Sequence, residues 1–353
     1  MVSRPTRSDS SRRLLDIVES AWHINMETSE IIGKIQKALK AGANPNAKYT
    51  DGKTCLHLVA KNNIKGSTEI VDLLLSRGAL PEIADQYGNT PLLYANFAEN
   101  ENFELIKKLI EFGAYVDRSN IYGRTSLHNA ACQGRTEIVR LLLSSGAYPD
   151  PIDSNTYTPL MLAVAVKSIT HEQRFDISQQ LIQAGAYVNR VKRYDNMSIL
   201  HYACLHGNVK TVDLIISSGA SFSTDLYGKG LNSLFYATIS GNKDVARRLI
   251  DAGLNVNHVN KTDVYRGLTK PLTVLHVAIE KNDVDMVKFL LEQKANPNLM
   301  NDKVEDSTLA LAAVMDHQNI QPITRLLLSY GANMYAIGTG WYESLLDFLR
   351  DYR

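Results

Sequence analysis

The stretch YGRTSLHNAACQGRTEIVRLLLSSGAYPD, residues 122–150, contains the pattern on which the fold depends. Thr125 precedes a short apolar segment, as expected of a residue whose hydroxyl caps the free N–H groups of a helix start. A second apolar run ends at Gly146, and glycine readily takes the left-handed conformation that closes a helix. The stretch therefore predicts two short helices, followed by a polar turn or hairpin that leads onward.

The same pattern returns along most of the chain. A leucine near the start of the first helix recurs every 33 to 41 residues, at Leu56, Leu92, Leu127, Leu160, Leu200, Leu234, Leu275 and Leu309. The glycine that ends the second helix recurs with it, at Gly42, Gly78, Gly113, Gly146, Gly185, Gly219, Gly253 and Gly331, with Lys294 in place of one glycine. A unit of this size cannot bury its apolar face alone, so neighbouring units must stack.

These units resemble ankyrin repeats, whose usual unit has about 33 residues and starts with T-P-L-H-x-A. The resemblance covers roughly residues 28–353, although the proline of the motif is kept only at Pro91 and Pro159. It implies an all-α fold, an ankyrin-repeat solenoid of stacked helix-turn-helix units with β-hairpin fingers between them.

The repeats suggest four segments. We expect residues 1–10 to be disordered and residues 11–48 to form N-terminal capping helices and a first half-repeat. Residues 49–336 form the ankyrin-repeat array, and residues 337–353 form a C-terminal capping helix. Amphipathic stretches at 11–23 and 337–353 would cover the ends of the array.

Composition argues against several classes of protein. The formal net charge is +1, whereas proteins that bind nucleic-acid backbones usually carry a basic excess. No apolar run approaches the roughly 18 residues of a membrane span, and the N-terminal segment lacks the apolar core of an export signal. Three cysteines are too few for a disulfide scaffold, so we expect a reducing, cytoplasmic location. Neither nucleic acid nor membrane is expected as a partner.

Residues that could carry chemistry have structural interpretations. His57, His128, His201 and His276 share one motif position, and in ankyrin repeats this histidine links neighbouring units by hydrogen bonds. Cys55, Cys132 and Cys204 lie in first helices, where small buried thiols are expected. No HExxH or CxxC spacing is present. The sequence therefore predicts no catalytic residue, metal or cofactor.

Tyrosine gives the clearest indication of a binding surface. Six tyrosines fall at or near consecutive predicted fingers, at Tyr49, Tyr87, Tyr122, Tyr157, Tyr194 and Tyr227. They can pack finger against finger, or they can form an exposed aromatic row along a groove for a partner; we prefer the second hypothesis. Three others, Tyr115, Tyr148 and Tyr187, directly follow Gly-Ala and are expected to cover the base of the hairpins.

Partners of ankyrin proteins commonly touch the fingers and the exposed side of the first helices. Those positions in this chain give the partner-binding candidates Asp51, Lys53, Tyr87, Asn89, Phe97, Tyr122, Arg124, Gln133, Asn155, Tyr157, Tyr194, Met197, Leu205 and His206. Four finger asparagines, Asn46, Asn189, Asn257 and Asn298, are interpreted as turn-stabilising, although the resemblance also makes them candidates for hydroxylation.

Three insertions depart from the repeat: 167–176, which lengthens the join between two helices, 258–272 and 301–306. Together, these features predict a monomeric, non-enzymatic protein-protein interaction module that acts as scaffold, adaptor or inhibitor. An effector of an intracellular bacterium, acting in host cytoplasm or nucleus, is one such form. The alternative is an enzyme or nucleic-acid binder that uses the insertion at 167–176 or 258–272.

Overall fold

A computed structural model describes residues 7–24, 26–62, 66–96, 103–193, 197–222, 232–259, 273–299, 308–314 and 320–333. The chain divides into two compact units, Met1–Ala186 (unit 1) and Tyr187–Arg353 (unit 2). The described residues form helices and turns with no strand, apart from the isolated bridge between Val191 and Ser198. The all-α prediction is confirmed, and the fingers that the structure describes in unit 1 are tight hydrogen-bonded turns rather than paired strands.

Unit 1 is built from two layers of helices. Its helices are α1 (Arg7–Ile24), α2 (Thr28–Lys40), α3 (Cys55–Asn62), α4 (Ser67–Ser76), α5 (Pro91–Ala95), α6 (Phe103–Glu111), α7 (Ser126–Cys132), α8 (Thr136–Ser144), α9 (Pro159–Ala165) and α10 (His171–Gln183). The first helices of the repeats, α3, α5, α7 and α9, pack on one another in one layer, and α4, α6, α8 and α10 form the other.

Unit 2 repeats this arrangement. Its helices are α11 (Ile199–His206), α12 (Val209–Ser217), α13 (Ser233–Ile239), α14 (Lys243–Asp251), α15 (Val274–Glu280), α16 (Val284–Glu292), α17 (Thr308–Val314) and α18 (Ile320–Ser329). Each first helix packs on the second helix of its own repeat and on the first helix of the next. Each unit therefore has one continuous core between its two layers.

The repeated leucines form the centre of each core. Every motif leucine is buried, and so are the alanines that follow on the same helices, at Ala60, Ala95, Ala130, Ala163, Ala203, Ala237, Ala278 and Ala312. The small alanine side chains let neighbouring helices approach closely, and the leucines fill the space between them. Burying one leucine side chain contributes roughly 1.5–3 kcal/mol, so eight repeated positions supply much of the driving force.

Local signals fix where the helices begin and end. The hydroxyls of Thr125 and Thr158 accept the N–H groups of His128 and Met161, which caps α7 and α9 as predicted. At the other end, Gly146 has a φ of 88°. The next residue, Ala147, donates its N–H across the end of α8 to the carbonyl of Leu142 at 3.0 Å.

The N-terminal boundary differs from the prediction. Helix α1 starts at Arg7, so residues 7–10, expected to be disordered, are helical, and Ser10 is buried. The amphipathic pattern misses this first turn because its residues, Arg7 to Ser10, are all polar. Residues 1–6 and the predicted C-terminal helix at 337–353 lie outside the described residues.

The insertion at 167–176 is largely helix rather than loop. Residues 171–176 form the start of α10, capped by Thr170 and Gln173. Arg174 is fully buried and donates to the carbonyls of Ala163, Val164 and Val166 at the end of α9. The extra residues thus satisfy an open helix end. Of the other two insertions, residues 260–272 and 300–307 lie outside the described residues.

Candidate protein-binding site

Four turns of unit 1 stack as fingers: finger 1 (49–54), finger 2 (85–90), finger 3 (120–125) and finger 4 (153–158). A backbone bond across its base closes each finger, as from the Asn120 N–H to the Arg124 carbonyl at 3.0 Å. One further bond joins each finger to the next. The N–H groups of Gln86, Ile121 and Ser154 donate to the carbonyls of Asp51, Tyr87 and Tyr122 at 2.9–3.0 Å. This ladder fixes the register of the fingers.

Short polar side chains hold the conformation of fingers 2, 3 and 4. Oδ1 of Asp85, Asn120 and Asp153 accepts the backbone N–H groups two and four residues further on. Such Asx turns replace the partners that a strand would supply. Each finger is therefore rigid through its own sequence, before any partner binds.

Glycine allows the fingers to come this close. Gly88 has a φ of 76°, which side-chain-bearing residues rarely adopt. A Cβ at this position would lie 3.1 Å from the Cα of Asn120 in the next finger. Gly52 and Gly123 stand in the same position of their own fingers and approach their neighbours equally closely.

An open groove of about 580 Å³ lies across fingers 2, 3 and 4. Its lining includes five of the predicted partner-binding residues, Tyr87, Asn89, Tyr122, Arg124 and Asn155. The two tyrosines are 44% and 55% exposed. The structure therefore brings together the finger residues that the sequence predicted for repeats two to four.

Polar contacts organise the groove. The amide of Asn120 donates to Oδ1 of Asn89 at 3.0 Å, which joins two fingers by their side chains. Nε of Arg124 lies 3.2 Å from Oδ2 of Asp153, whose side chain is almost completely buried. This ion pair therefore holds Arg124 at the groove, with its side chain partly exposed.

The motif histidines anchor the fingers from below. Nδ1 of His57 accepts the N–H of Thr54 at 3.0 Å, so the proton lies on Nε2, which faces the carbonyl of Asn89 in the next finger at 3.0 Å. His128 makes the same two contacts, with Thr125 and with Tyr157 of the next finger. The hydrogen-bonded link between repeats that the resemblance implies is therefore present at His57 and His128. Burial lowers the pKa of His57 to about 4.

The predicted tyrosine row is only partly present. Tyr87 and Tyr122 hold the same finger position, but Tyr49 starts its finger and Tyr157 lies two residues later, where Asn89 and Arg124 stand in other fingers. Both are half-buried, and the hydroxyl of Tyr49 donates to Glu19 at 2.9 Å. Tyr194 and Tyr227 lie outside the described residues. Counting one tyrosine per unit misses this difference because a shift of two residues changes the position within the turn.

The tyrosines that follow Gly-Ala do not cover a hairpin base. Tyr115, Tyr148 and Tyr187 are 69%, 56% and 55% exposed. Their backbone, rather than their ring, makes the structural contact, as where the N–H of Tyr115 donates to Glu82 at 2.7 Å. The prediction that these rings pack at the hairpin base is wrong.

The remaining candidates lie apart from this groove. Asp51 and Lys53 form an ion pair on finger 1 beside a smaller cleft with Glu19, Tyr49 and Lys61. Gln133 is exposed at the end of α7. Met197, Leu205 and His206 belong to unit 2 and are half-buried, whereas Phe97 and Tyr194 lie outside the described residues.

Sequence reasoning missed two features of the fingers. Ile121 is 61% exposed beside Tyr122 and adds apolar area to the tip of finger 3. Asn46 bridges repeats, since its Nδ2 donates to the Gly78 carbonyl and its Oδ1 accepts the Leu80 N–H, both at 2.8 Å. The same pair of bonds recurs at Asn189, Asn257 and Asn298. Each of these asparagines stands four residues after the glycine position that ends a second helix, and this shared position was the available signal.

The cysteines are the other side chains that could react, and all three are buried or half-buried. Cys55 and Cys204 are buried, and burial raises the pKa of the Cys55 thiol to about 12. Cys132 is half-buried. Across the part of the chain that the structure describes, no group of three His, Cys, Asp or Glu side chains is placed to hold a metal ion. None of the described helices is long and apolar enough to cross a membrane.

Comparison with known proteins agrees with this architecture. A family model described as ankyrin repeats (3 copies) matches residues 29–98, 96–191, 165–260 and 258–337. The chain is 24% identical to the ankyrin repeat protein nuc-2 of Neurospora crassa over 84% of this chain and 26% of that protein. It is 30% identical to the putative palmitoyltransferase ZDHHC13 of Danio rerio over 57% of this chain and 30% of that protein.

The chain is also similar to part of a viral protein. The chain is 30% identical to the putative ankyrin repeat protein FPV014 of fowlpox virus over 46% of this chain and 35% of that protein. The chain thus spans between a quarter and about a third of the length of these relatives. Ankyrin repeats are protein-protein interaction modules, and the family matches extend over most of the sequence. The chain belongs to the ankyrin-repeat family.

Proposed function

We propose that this chain is a non-enzymatic protein-binding module whose partner occupies the groove across fingers 2, 3 and 4. The observation that carries the proposal is the pair Tyr87 and Tyr122, both exposed and both lining one groove. They stand on fingers that the backbone ladder holds in register. Exposed aromatic side chains on a rigid support are typical of interface hot spots.

Rigidity of the support favours binding. A side chain that is ordered before association loses little conformational freedom when a partner arrives, and tyrosine has few rotatable bonds to restrict. The finger turns are already fixed by Asp85, Asn120 and Asp153. Ile121 extends the apolar surface at the tip, so the groove combines apolar area with a preformed shape.

The polar lining suggests an extended segment of the partner. Asn89, Arg124 and Asn155 place amide and guanidinium groups in the lining of the same groove. Such groups can pair with the N–H and C=O groups of an extended peptide, whose backbone is otherwise unsatisfied when it is covered. The apolar side chains of that peptide would then pack against Tyr87 and Tyr122.

The test compares two pairs of tyrosines of similar exposure. Tyr87→Ala with Tyr122→Ala removes the groove pair, and Tyr115→Ala with Tyr148→Ala removes two rings outside the groove. A photo-cross-linking residue at position 122 identifies the partner, and titration measures its affinity for each variant. Each hot-spot tyrosine contributes at least about 1 kcal/mol, so the groove variant should bind at least about thirtyfold more weakly.

The control outcome decides the proposal. The variant with Tyr115→Ala and Tyr148→Ala should bind the partner with nearly unchanged affinity. All variants should keep their helicity and melting temperature because the four rings are exposed. A larger loss of binding in the variant at 115 and 148 would place the interface at those rings and would overturn the proposal.

The absence of a catalytic step is also part of the proposal. His57 and His128 use both ring nitrogens in structural contacts, and residues 171–176 of the insertion at 167–176 belong to α10. We further propose a monomer in the cytoplasm, a location supported by three free cysteines. The identity of the partner decides between scaffold, adaptor, inhibitor and bacterial effector.

A further inference from the structure

A cleft of about 370 Å³ lies between the N-terminal helices α1 and α2. Ser10, Arg13 and Ile17 of α1 line one side, and Lys34, Lys37 and Ala38 of α2 line the other. Cavities of roughly 300–1,000 Å³ are the usual size of small-molecule sites. None of these residues belongs to the finger groove or was singled out by the repeat pattern.

The hydroxyl of Ser10 is the first indication of a ligand. Ser10 is 2% exposed, and its Oγ has no hydrogen-bond partner among the residues that the structure describes. A buried hydroxyl without a partner is unfavourable because it has lost its bonds to water. An acceptor atom placed in the cleft would satisfy this donor.

The charges around the cleft indicate what kind of acceptor fits. Arg13 and Lys37 are exposed, and neither forms an ion pair with any residue that the structure describes. Lys34 pairs with Glu30 at 2.7 Å, so its charge is already partly compensated. Two uncompensated cations therefore stand around an unpaired hydroxyl donor, an arrangement that favours an anion.

The rest of the lining is apolar. Ile17 is half-buried at the cleft, and Ala38 is buried. We infer that this cleft binds a small anionic amphiphile, with a carboxylate or phosphate monoester at Ser10, Arg13 and Lys37 and an apolar body along Ile17 and Ala38. Because the ligand contacts both helices, its binding stabilises the packing of α1 on α2.

Octanoate and octanamide test the requirement for charge, since they differ in the head group and share the apolar chain. Calorimetric titration of the full chain should show saturable binding of octanoate at one site. Octanamide should bind at least tenfold more weakly. Equal affinities would overturn the inference because the cations would then contribute nothing.

Variants of the lining locate the site. The double variant Arg13→Gln with Lys37→Gln should bind octanoate at least tenfold more weakly. Lys40 is an exposed cation of α2 outside the lining, so Lys40→Gln should leave the affinity unchanged. Each is a surface substitution that should preserve the fold, which circular dichroism checks. Unchanged binding in the double variant, or an equal loss in Lys40→Gln, would overturn the inference.

Ser10→Ala gives a second test, with effects of opposite sign. Removing an unsatisfied buried hydroxyl should raise the melting temperature of the ligand-free protein and weaken octanoate binding. An unchanged affinity would overturn the role of the hydroxyl. Sedimentation with phosphatidylcholine vesicles that contain phosphatidic acid separates a free ligand from a membrane lipid. Binding to these vesicles without any response to octanoate would overturn the assignment to a free amphiphile.

Discussion

Acidification from pH 7 to pH 4 should destabilise unit 1 through His57. The ring is completely buried. It accepts the N–H of Thr54 at Nδ1 and faces the Asn89 carbonyl with Nε2, at 3.0 Å each. Both contacts need the neutral ring with its proton on Nε2. Protonation would place a second N–H at Nδ1 against the N–H of Thr54, and the charge would be buried.

The size of the effect follows from the pKa of the ring. Burial lowers the pKa of His57 from 6.5 to about 4. Between these values the unfolded chain binds more protons than the folded chain, so stability falls as the pH falls. The two pKa values differ by about 2.5, and each pKa unit corresponds to about 1.4 kcal/mol. The titration of His57 alone should therefore lower the free energy of unfolding by about 3 kcal/mol at pH 4, with no change above about pH 7.

Urea unfolding at pH 7, 5.5 and 4 measures this loss, with circular dichroism as the readout. His57→Gln is the matched variant, since its amide cannot titrate in this range. The native protein should lose about 3 kcal/mol more between pH 7 and pH 4 than His57→Gln loses. His128, whose pKa burial also lowers, is present in both proteins and cancels. Parallel pH dependence in the two proteins would refute the reasoning.

Four further substitutions test the turns and the contacts between repeats by thermal and urea unfolding. Gly88→Ala should cost about 2–3 kcal/mol, since its Cβ would approach Asn120 at 3.1 Å in addition to the left-handed penalty. In Gly78→Ala the added Cβ would have no atom within 4 Å, so the free energy of unfolding should fall only by the left-handed penalty of about 1 kcal/mol. Equal losses in the two variants would contradict the proposed close approach at Gly88. Asn46→Ala removes two inter-repeat bonds at 2.8 Å and should cost about 1–2 kcal/mol; unchanged stability would show that the bridge contributes nothing. Thr156→Gly should stabilise the protein by about 1 kcal/mol because φ is 63° there; destabilisation would contradict strain at this turn.

Much of the fold could be predicted because its signals are local. A threonine before a short apolar segment caps a helix, and a glycine in the left-handed conformation ends one, wherever the residues stand in the molecule. Repetition of these signals made the interpretation secure. It even predicted that Lys294 takes the glycine position, where its φ is 67°.

The groove was only partly predictable. The sequence indicated Tyr87, Tyr122 and Arg124 because they occur in turn motifs. It could not separate them from Tyr49 and Tyr157, whose rings lie in other positions of their turns. A pattern that counts one aromatic residue per repeat does not record the register at which two turns meet.

The insertion at 167–176 shows the same limit. Its polar composition is that of a loop, yet Arg174 is buried because three carbonyls at the end of α9 need a donor. These carbonyls come within reach of Arg174 only once α9 and α10 are packed together. No pattern in the sequence near Arg174 predicts the contact.

The sequence by itself determined the repeat, the capping residues of its helices and the buried leucines, since each depends on residues a few positions apart. The link that the motif histidines make between repeats was implied by the resemblance to ankyrin repeats. The tertiary structure alone decided which tyrosines share a groove, which asparagines bridge repeats and where Ser10, Arg13 and Lys37 enclose a cleft. Those contacts join residues from different turns and helices, and their geometry is set by how rigid units stack rather than by the order of residues within one unit.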